Sequence, residues 1–336
     1  MKLASFDDGS RDGCLCVVSA NSARFARADG VAKTLQSVLD NWDELAPRLL
    51  QLFQQLESDA IEGTMASDVR FRAPLPRAYQ WLDGSAYLSH STLFRQAQGK
   101  PLPERYLTTP LMYQGGSDKL LGPTDPIEGL PAWGIDCEAE VGVIVRDVPM
   151  GVDHQAALDS IVLVVLLNDV SLRALQGAER ETGFGWLQCK PSTAFAPFAV
   201  TPAQLGHYWH RGVLKLPVEI TVNHTLLGRP DAGTDLQFDF GKLIMHAART
   251  RALGAGTILG SGTISNRDVV KAGVACIAEQ RYIETIRSGE PLTSFLQPGD
   301  QVAIEARDQS GVSVFGRIEQ KVVLARTVES FEESMS

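Results

Sequence analysis

Trp133-Gly-Ile-Asp-Cys-Glu-Ala-Glu-Val-Gly-Val-Ile-Val-Arg146 is the stretch on which the reading of this chain turns. From Glu138 onward it is apolar and β-branched, free of proline, and closed by the charged pair Arg146-Asp147, which predicts a strand. Successive strand side chains point to opposite faces, so Glu138 and Glu140 share one. Two carboxylates side by side on an oily strand repel each other. A cation between them relieves the repulsion, and a hard divalent metal is the economical choice. The competing reading is a pair of solvated glutamates on an edge strand, and this stretch alone leaves both open.

Downstream, Ile161 to Leu167 is an unbroken apolar run that reads as a buried strand and leads into Asn168-Asp169. Val170 to Glu181 then has a helical pattern. Asp169, Arg173, Gln176 and Arg180 follow at spacings of four, three and four, so on a helix they share one face. An exposed Asp–Arg pair at this spacing is the bland alternative, worth only about 0.3–0.5 kcal/mol. Lys190, set among apolar residues, either snorkels to water or gives up its proton more readily than usual. Upstream, Asp83 and His90 lie seven apart, two turns of one helical face. A Pro/Gly-rich loop from Gly99 to Ala132 follows, carrying Pro110-Leu-Met-Tyr-Gln-Gly-Gly116; irregular stretches of this length are often functional.

Further along, Leu216 to Val222 alternates as a strand with a turn at Asn223-His224, and Phe238 to Leu253 is predicted helical. His207 and His210 flank Trp209 and could ligate a metal, but an exposed helix turn is the preferred reading. The segment from Gly254 to Ser265 is dense in glycine, which lets backbone approach a ligand closely. It is not GxGxxG and no P-loop Lys follows, so nucleotide binding is rejected. Leu296 to Glu305 reads as a turn feeding a strand, and Val312 to Leu324 as a closing strand.

At the front, residues 1 to about 30 resemble a short β meander, and Val31 to Glu57 a helix in two pieces, broken near Asn41 and Pro47. The prolines at 74 and 76 mark a boundary, giving a small N-terminal domain over 1–70, a catalytic domain over 71–326 and a flexible tail over 327–336. The 336 residues, 44% hydrophobic and 21% charged, suit a globular protein with a large core. A net charge of −9 without a basic stripe argues against nucleic-acid and anionic-membrane partners. Five cysteines without a CxxC pair, and an N-terminus lacking a signal peptide's apolar core, lead us to expect a cytoplasmic location.

Asp83 with His90, Glu138-Ala-Glu140, Asn168-Asp-Val-Ser-Leu-Arg173 with Gln176, Lys190, Gly260-Ser-Gly-Thr-Ile-Ser265 and Leu296-Gln-Pro-Gly-Asp300, in this order, resemble the fumarylacetoacetate hydrolase family. The likeness runs from about Leu75 to Leu324. It implies a mainly β fold with α/β elements, a mixed β-sandwich roll, and a homodimer. It also implies a small N-terminal domain of SH3-like type, which the helical pattern of 31–57 fits poorly. By the same resemblance Asp83, Glu138, Glu140 and Asp169 would hold Mg²⁺ or Ca²⁺, with Mn²⁺ as an alternative. His90, oriented by Glu279, would take a proton from water. Lys190, Gln176 and Arg173 would stabilise the oxyanion, and Tyr113, Thr263 and Arg95 would bind the substrate's carboxylate end.

The reaction so implied is metal-dependent hydrolysis of a carbon–carbon bond in a small anionic 1,3-diketo or 2,4-dioxo acid of aromatic catabolism. Fumarylacetoacetate comes first, fumarylpyruvate and maleylpyruvate next. Decarboxylation of a 2-oxo acid or hydration of a 2-oxo-4-enoate is the second reading, and a metal-stabilised structural protein the third. Ser85 and Arg180 stand where the family's fumarylacetoacetate enzymes carry tyrosines, which points to a shorter or more highly charged substrate.

Overall fold

A computed structural model describes residues 1–326; the expected tail at 327–336 lies outside the described residues. Strand Ala139–Val145 is buried at every position. It lies antiparallel between Ile161–Asn168 on one side and Ile258–Gly260 on the other. It is an interior strand, which removes the solvated edge-strand reading of its glutamates. Both neighbours are β-branched or glycine-rich, so the run fits a sheet covered on both faces.

Beyond Ile258–Gly260 the sheet continues with Trp81–Gly84, parallel to it, and then with Met112–Gly115 at its edge. The register aligns Asp83 with Gly260 and with Tyr113, Gly260 with Gly142, and Glu140 with Leu167. One end of the sheet therefore carries Tyr113, Asp83 and Glu140 on neighbouring strands, with Asp169 directly after the strand that ends at Asn168. A second, five-stranded sheet contains Val218–Val222, Thr225–Gly228, Gln301–Ala306, Ile318–Leu324 and Ile127–Gly129. The largest apolar cluster joins the two, with Val141 and Val143 of one sheet and Val302 and Ile304 of the other.

The N-terminal meander (Lys2–Phe6, Cys14–Val18, Arg24–Arg27) extends the large sheet, because Lys2–Phe6 pairs antiparallel with Ala199–Val200. Helices Leu35–Leu39 and Trp42–Glu57 cover it. Leu49, Phe53 and Leu56 of the longer helix are buried in one cluster with Leu15 and Val17, each burial worth roughly 1.5–3 kcal/mol. Pro47 does not break this helix. It sits near the start, where only the bond to Asp43 is lost.

Several other expectations are corrected. Asp83 ends a strand while His90 lies on helix Leu88–Ala97, so they do not share a helical face. Val170 to Glu181 is not one helix: Ser171–Leu172 pairs with Ile135–Asp136, and the helix begins only at Gln176 and runs to Thr182. The helix predicted over 238–253 covers only Phe240–Ala247, capped by Asp239. The loop after Gly99 contains the edge strand Met112–Gly115. His210 lies in a two-residue hairpin strand, Trp209–His210, after a 3-10 turn holding His207. No described helix is long and apolar enough to cross a membrane.

Candidate active site

Asp83, His90, Tyr113, Glu138, Glu140, Arg173, Gln176, Arg180, Lys190 and Thr263 line one cavity of about 410 Å³. Asp169 and Glu279 lie buried beneath its floor. A larger cavity of about 480 Å³, between Trp42 and Arg146, contains none of these residues. Arg95 is the predicted residue that does not arrive: it faces away on its helix and donates to the Pro101 carbonyl at 3.0 Å.

One side of the cavity is fully paired. Glu138 accepts from Arg173 Nη2 at 2.6 Å and from Lys190 Nζ at 2.7 Å. Burial alone would raise the Glu138 pKa, but Lys190 and Arg173 outweigh it and hold the carboxylate well below its ordinary value. Lys190 also donates to Asp169, which takes further hydrogen bonds from Tyr113 at 2.6 Å and Thr193 at 2.7 Å. Burial would make this lysine lose its proton, as the sequence suggested. Asp169 and Glu138 reverse that and raise its pKa, so Lys190 neither snorkels nor discharges. The alternative of an exposed Asp169–Arg173 pair is not what forms, because Arg173 is bonded inside to Asp136 and Glu138. Tyr113, expected at the substrate, has its hydroxyl committed to Asp169.

The other side is not paired. Both carboxylate oxygens of Glu140 are buried without a hydrogen-bond partner. Asp83 receives only the Gly262 N–H, at 3.1 Å. Burial, with Asp169 facing it, pushes the Asp83 pKa well up; burial, with Asp83 facing it, does the same to Glu140. One oxygen each of Asp83, Glu140 and Asp169 lies within 4.8 Å of the others. Gly260 makes the approach possible: a Cβ there would lie 2.4 Å from Asp83 Oδ1 and 3.1 Å from Glu140 Oε2.

This arrangement fits a divalent cation. Orphaned buried carboxylate oxygens cost several kcal/mol unless protonated or bound to a cation. Among the described residues, five buried carboxylates (Asp83, Asp136, Glu138, Glu140, Asp169) share two largely buried cations, Arg173 and Lys190. An oxygen-only donor set suits Mg²⁺, Ca²⁺ or Mn²⁺ over zinc. His207 and His210 join no metal-ligating group among the described residues.

Across the cavity, His90 Nδ1 lies 2.9 Å from Glu279 Oε1, the imidazole 20% exposed and the carboxylate 1%. Glu279 stands in the first turn of helix Ile277–Ser288, which packs on the His90 helix through Phe94 and Tyr282, ring centroids 5.5 Å apart. The Arg180 guanidinium stacks on Phe94 at 4.8 Å and faces Trp186 at 5.7 Å.

The sequence reading missed Asp136. Its fully buried carboxylate accepts from Arg173 Nε at 2.8 Å and from the backbone N–H groups of Ile277 at 2.8 Å and Ala278 at 3.0 Å. It thus fixes Arg173 and anchors the start of the helix that delivers Glu279. The signal was available: alternation puts Asp136 on the face of Glu138 and Glu140.

Two family models match the chain, between them covering nearly all of it. The "Fumarylacetoacetate (FAA) hydrolase C-terminal" family matches residues 80–323, and "Fumarylacetoacetase N-terminal domain 2" matches residues 1–77. The chain belongs to the fumarylacetoacetate hydrolase family. It is 29% identical over 168 residues to 2,4-didehydro-3-deoxy-L-rhamnonate hydrolase of Sphingomonas sp. strain SKA58, 48% of this chain and 54% of that protein. The fold is shared with maleylpyruvate hydrolase from Sphingobium sp. SYK-6, solved in complex with manganese(II) and pyruvate. There the TM-score is 0.64 at 17% identity, over 97% of this chain and 100% of that one. It is also shared with a probable 2-hydroxyhepta-2,4-diene-1,7-dioate isomerase from Mycobacterium abscessus, TM-score 0.65 at 17% identity with the same coverage. Proteins that share this fold therefore include a hydrolase and a probable isomerase.

Proposed function

We propose that this chain hydrolyses a carbon–carbon bond in a 1,3-diketo or 2,4-dioxo acid of aromatic catabolism, fumarylacetoacetate first and fumarylpyruvate or maleylpyruvate next. The observation that carries the reading is a His90–Glu279 pair, half-buried imidazole on buried carboxylate, opening onto the same cavity as the unpartnered Glu140 carboxylate. Asp83, Glu140 and Asp169 would hold Mg²⁺, Ca²⁺ or Mn²⁺, with Glu138 beside them on Arg173 and Lys190. When bound, such an ion polarises a carbonyl and offsets charge developing on oxygen.

The chain's own residues do the rest. Glu279 takes the Nδ1 proton of His90 in a hydrogen bond, which fixes the tautomer and leaves Nε2 as the basic nitrogen. His90 removes a proton from the attacking water, and the buried Glu279 carboxylate stabilises the imidazolium that results. Lys190, kept charged by Asp169 and Glu138, stabilises the oxyanion together with Gln176. Arg173, locked by Asp136, holds Glu138 in place and supports the same charge. Thr263 and the Tyr113 ring contact the substrate's keto-acid end. Arg180, clamped by Phe94 and Trp186, reads its distal acid group. Water adds across the broken bond, giving a carboxylic acid and a ketone.

The test is to incubate the protein and Mg²⁺ with fumarylacetoacetate, fumarylpyruvate, maleylpyruvate and oxaloacetate, following loss of the enol absorbance and identifying the products. An acid and a ketone from one of the first three are expected. Carbon dioxide from oxaloacetate alone, or a hydrated enoate, would replace this reading with a decarboxylase or hydratase on the same fold. Arg180→Tyr should move preference toward fumarylacetoacetate, and an unchanged substrate profile would remove Arg180 from recognition.

A further inference from the structure

A second group of metal-ligating atoms gathers beside the carboxylate cluster. A ring nitrogen of His90, Cys276 Sγ and a carboxylate oxygen of Glu279 lie within 4.8 Å of one another. Cys276 caps helix Ile277–Ser288, its sulfur accepting the Glu279 N–H at 3.4 Å, so thiol and carboxylate stand one turn apart. His90 reaches in from helix Leu88–Ala97. Cys276 and Glu279 are buried, and the imidazole, 20% exposed, is the member that lines the cavity. An ion would therefore enter past it.

The donor set differs in kind from that of Asp83, Glu140 and Asp169. Nitrogen, sulfur and oxygen together suit a borderline-soft ion and not Mg²⁺ or Ca²⁺. Tetrahedral zinc, with bonds of about 2.0–2.3 Å, sets its ligands about 3.3–3.6 Å apart. The three donor atoms, all within 4.8 Å of one another, already stand within about 1.5 Å of that spacing. Thiolate and carboxylate together balance the ion's two charges.

We propose that His90, Cys276 and Glu279 form an inhibitory site for a borderline-soft dication such as Zn²⁺, separate from the oxygen-only cluster. On binding, the thiol proton leaves to solvent, three ligand bonds form, and no electron is transferred. Where Nδ1 ligates, the His90–Glu279 hydrogen bond is lost. Whichever ring nitrogen ligates, no basic lone pair remains to accept a proton from water. The binding claim stands on this geometry, and the inhibitory claim rests in addition on the role proposed above for His90.

The experiment uses the full chain saturated with Mg²⁺. Co²⁺ is added as a spectroscopic stand-in, and a near-ultraviolet thiolate-to-cobalt charge-transfer band is expected that Zn²⁺ removes. Cys276→Ser should lose the band, with the other four cysteines left as an internal control. In turnover, with each protein normalised to its own zinc-free rate, Cys276→Ser should need at least about tenfold more Zn²⁺ for half-inhibition. No band, or one unchanged by Cys276→Ser, overturns the site; equal zinc sensitivity overturns the inhibition. Zinc-edge X-ray absorption on the Mg²⁺-loaded wild type needs no variant to fold. It should show sulfur next to zinc, and a shell of oxygen and nitrogen alone would contradict the proposal.

Discussion

Glu138 and Glu140 stand two residues apart under one cavity, and the protein treats their carboxylates differently. Glu138 is held by a guanidinium and an ammonium, its pKa drawn well down. Glu140 is equally buried, has no donor on either oxygen, and is pushed well up. Burial is the same for both, so the difference comes from their partners. The paired side is complete within the chain. The unpaired side is complete only with a proton or a cation, and that incompleteness is what marks it as a binding site.

The largest expected effect is on the unpaired side: Glu140→Gln should reduce divalent-dependent turnover to background in a steady-state assay. Persistent activity in EDTA would break the comparison outright. Next, His90→Ala should lower kcat by about 10²–10⁴ while Mn²⁺ affinity stays at the wild-type value. A matching loss of Mn²⁺ would make His90 part of the carboxylate cluster. Asp136→Asn should cost about 10–100-fold in kcat. It should do so with a changed pH–rate profile, because Arg173 and the Glu279 helix both lose their anchor.

The smallest effect is on stability. In ion-free protein the raised pKa of Glu140 means that its favourable contribution is full below the unfolded carboxylate value of about 4.3 and is lost as pH rises through the higher folded value. Glu138, with its lowered pKa, has the opposite sign: its contribution is present above that value and is lost as pH falls through the folded one. In EDTA, calorimetric Tm should therefore fall as pH rises above about 4.3, and Mg²⁺ should flatten the curve. Glu140→Gln should flatten it without Mg²⁺, whereas Glu138→Gln should not.

Local pattern carried much of this. Strand alternation put Glu138 and Glu140 on one face, and the same rule, applied two residues earlier, would have yielded Asp136. Apolar runs located the strands around residues 139–145 and 161–168 within a residue or two. What local pattern could not carry was pairing across the chain. Lys190 read as a lysine that either snorkels or discharges because its partners, Glu138 and Asp169, are 52 and 21 positions away. The helix expected from Val170 failed because Ser171–Leu172 found a strand partner at Ile135–Asp136, and tertiary pairing overrode helical spacing. Asp83 and His90 belonged together, but through a strand end and a separate helix. Arg95 fell on the wrong side of that helix, whose orientation no local pattern sets. The joining of the N-terminal meander to the large sheet rests on Lys2–Phe6 meeting Ala199–Val200, a contact no local signal announces.

The central claim is that Asp83, Asp169 and the unpartnered Glu140 carboxylate are the cation site. Calorimetric titration of Mn²⁺ into EDTA-stripped protein tests it most directly, comparing wild type, Glu140→Gln and Glu138→Gln. The account predicts one tight Mn²⁺ per chain in the wild type, binding weakened about a hundredfold or more by Glu140→Gln, and a clearly smaller loss from Glu138→Gln. Equal affinity in wild type and Glu140→Gln, or a greater loss from Glu138→Gln, would contradict it.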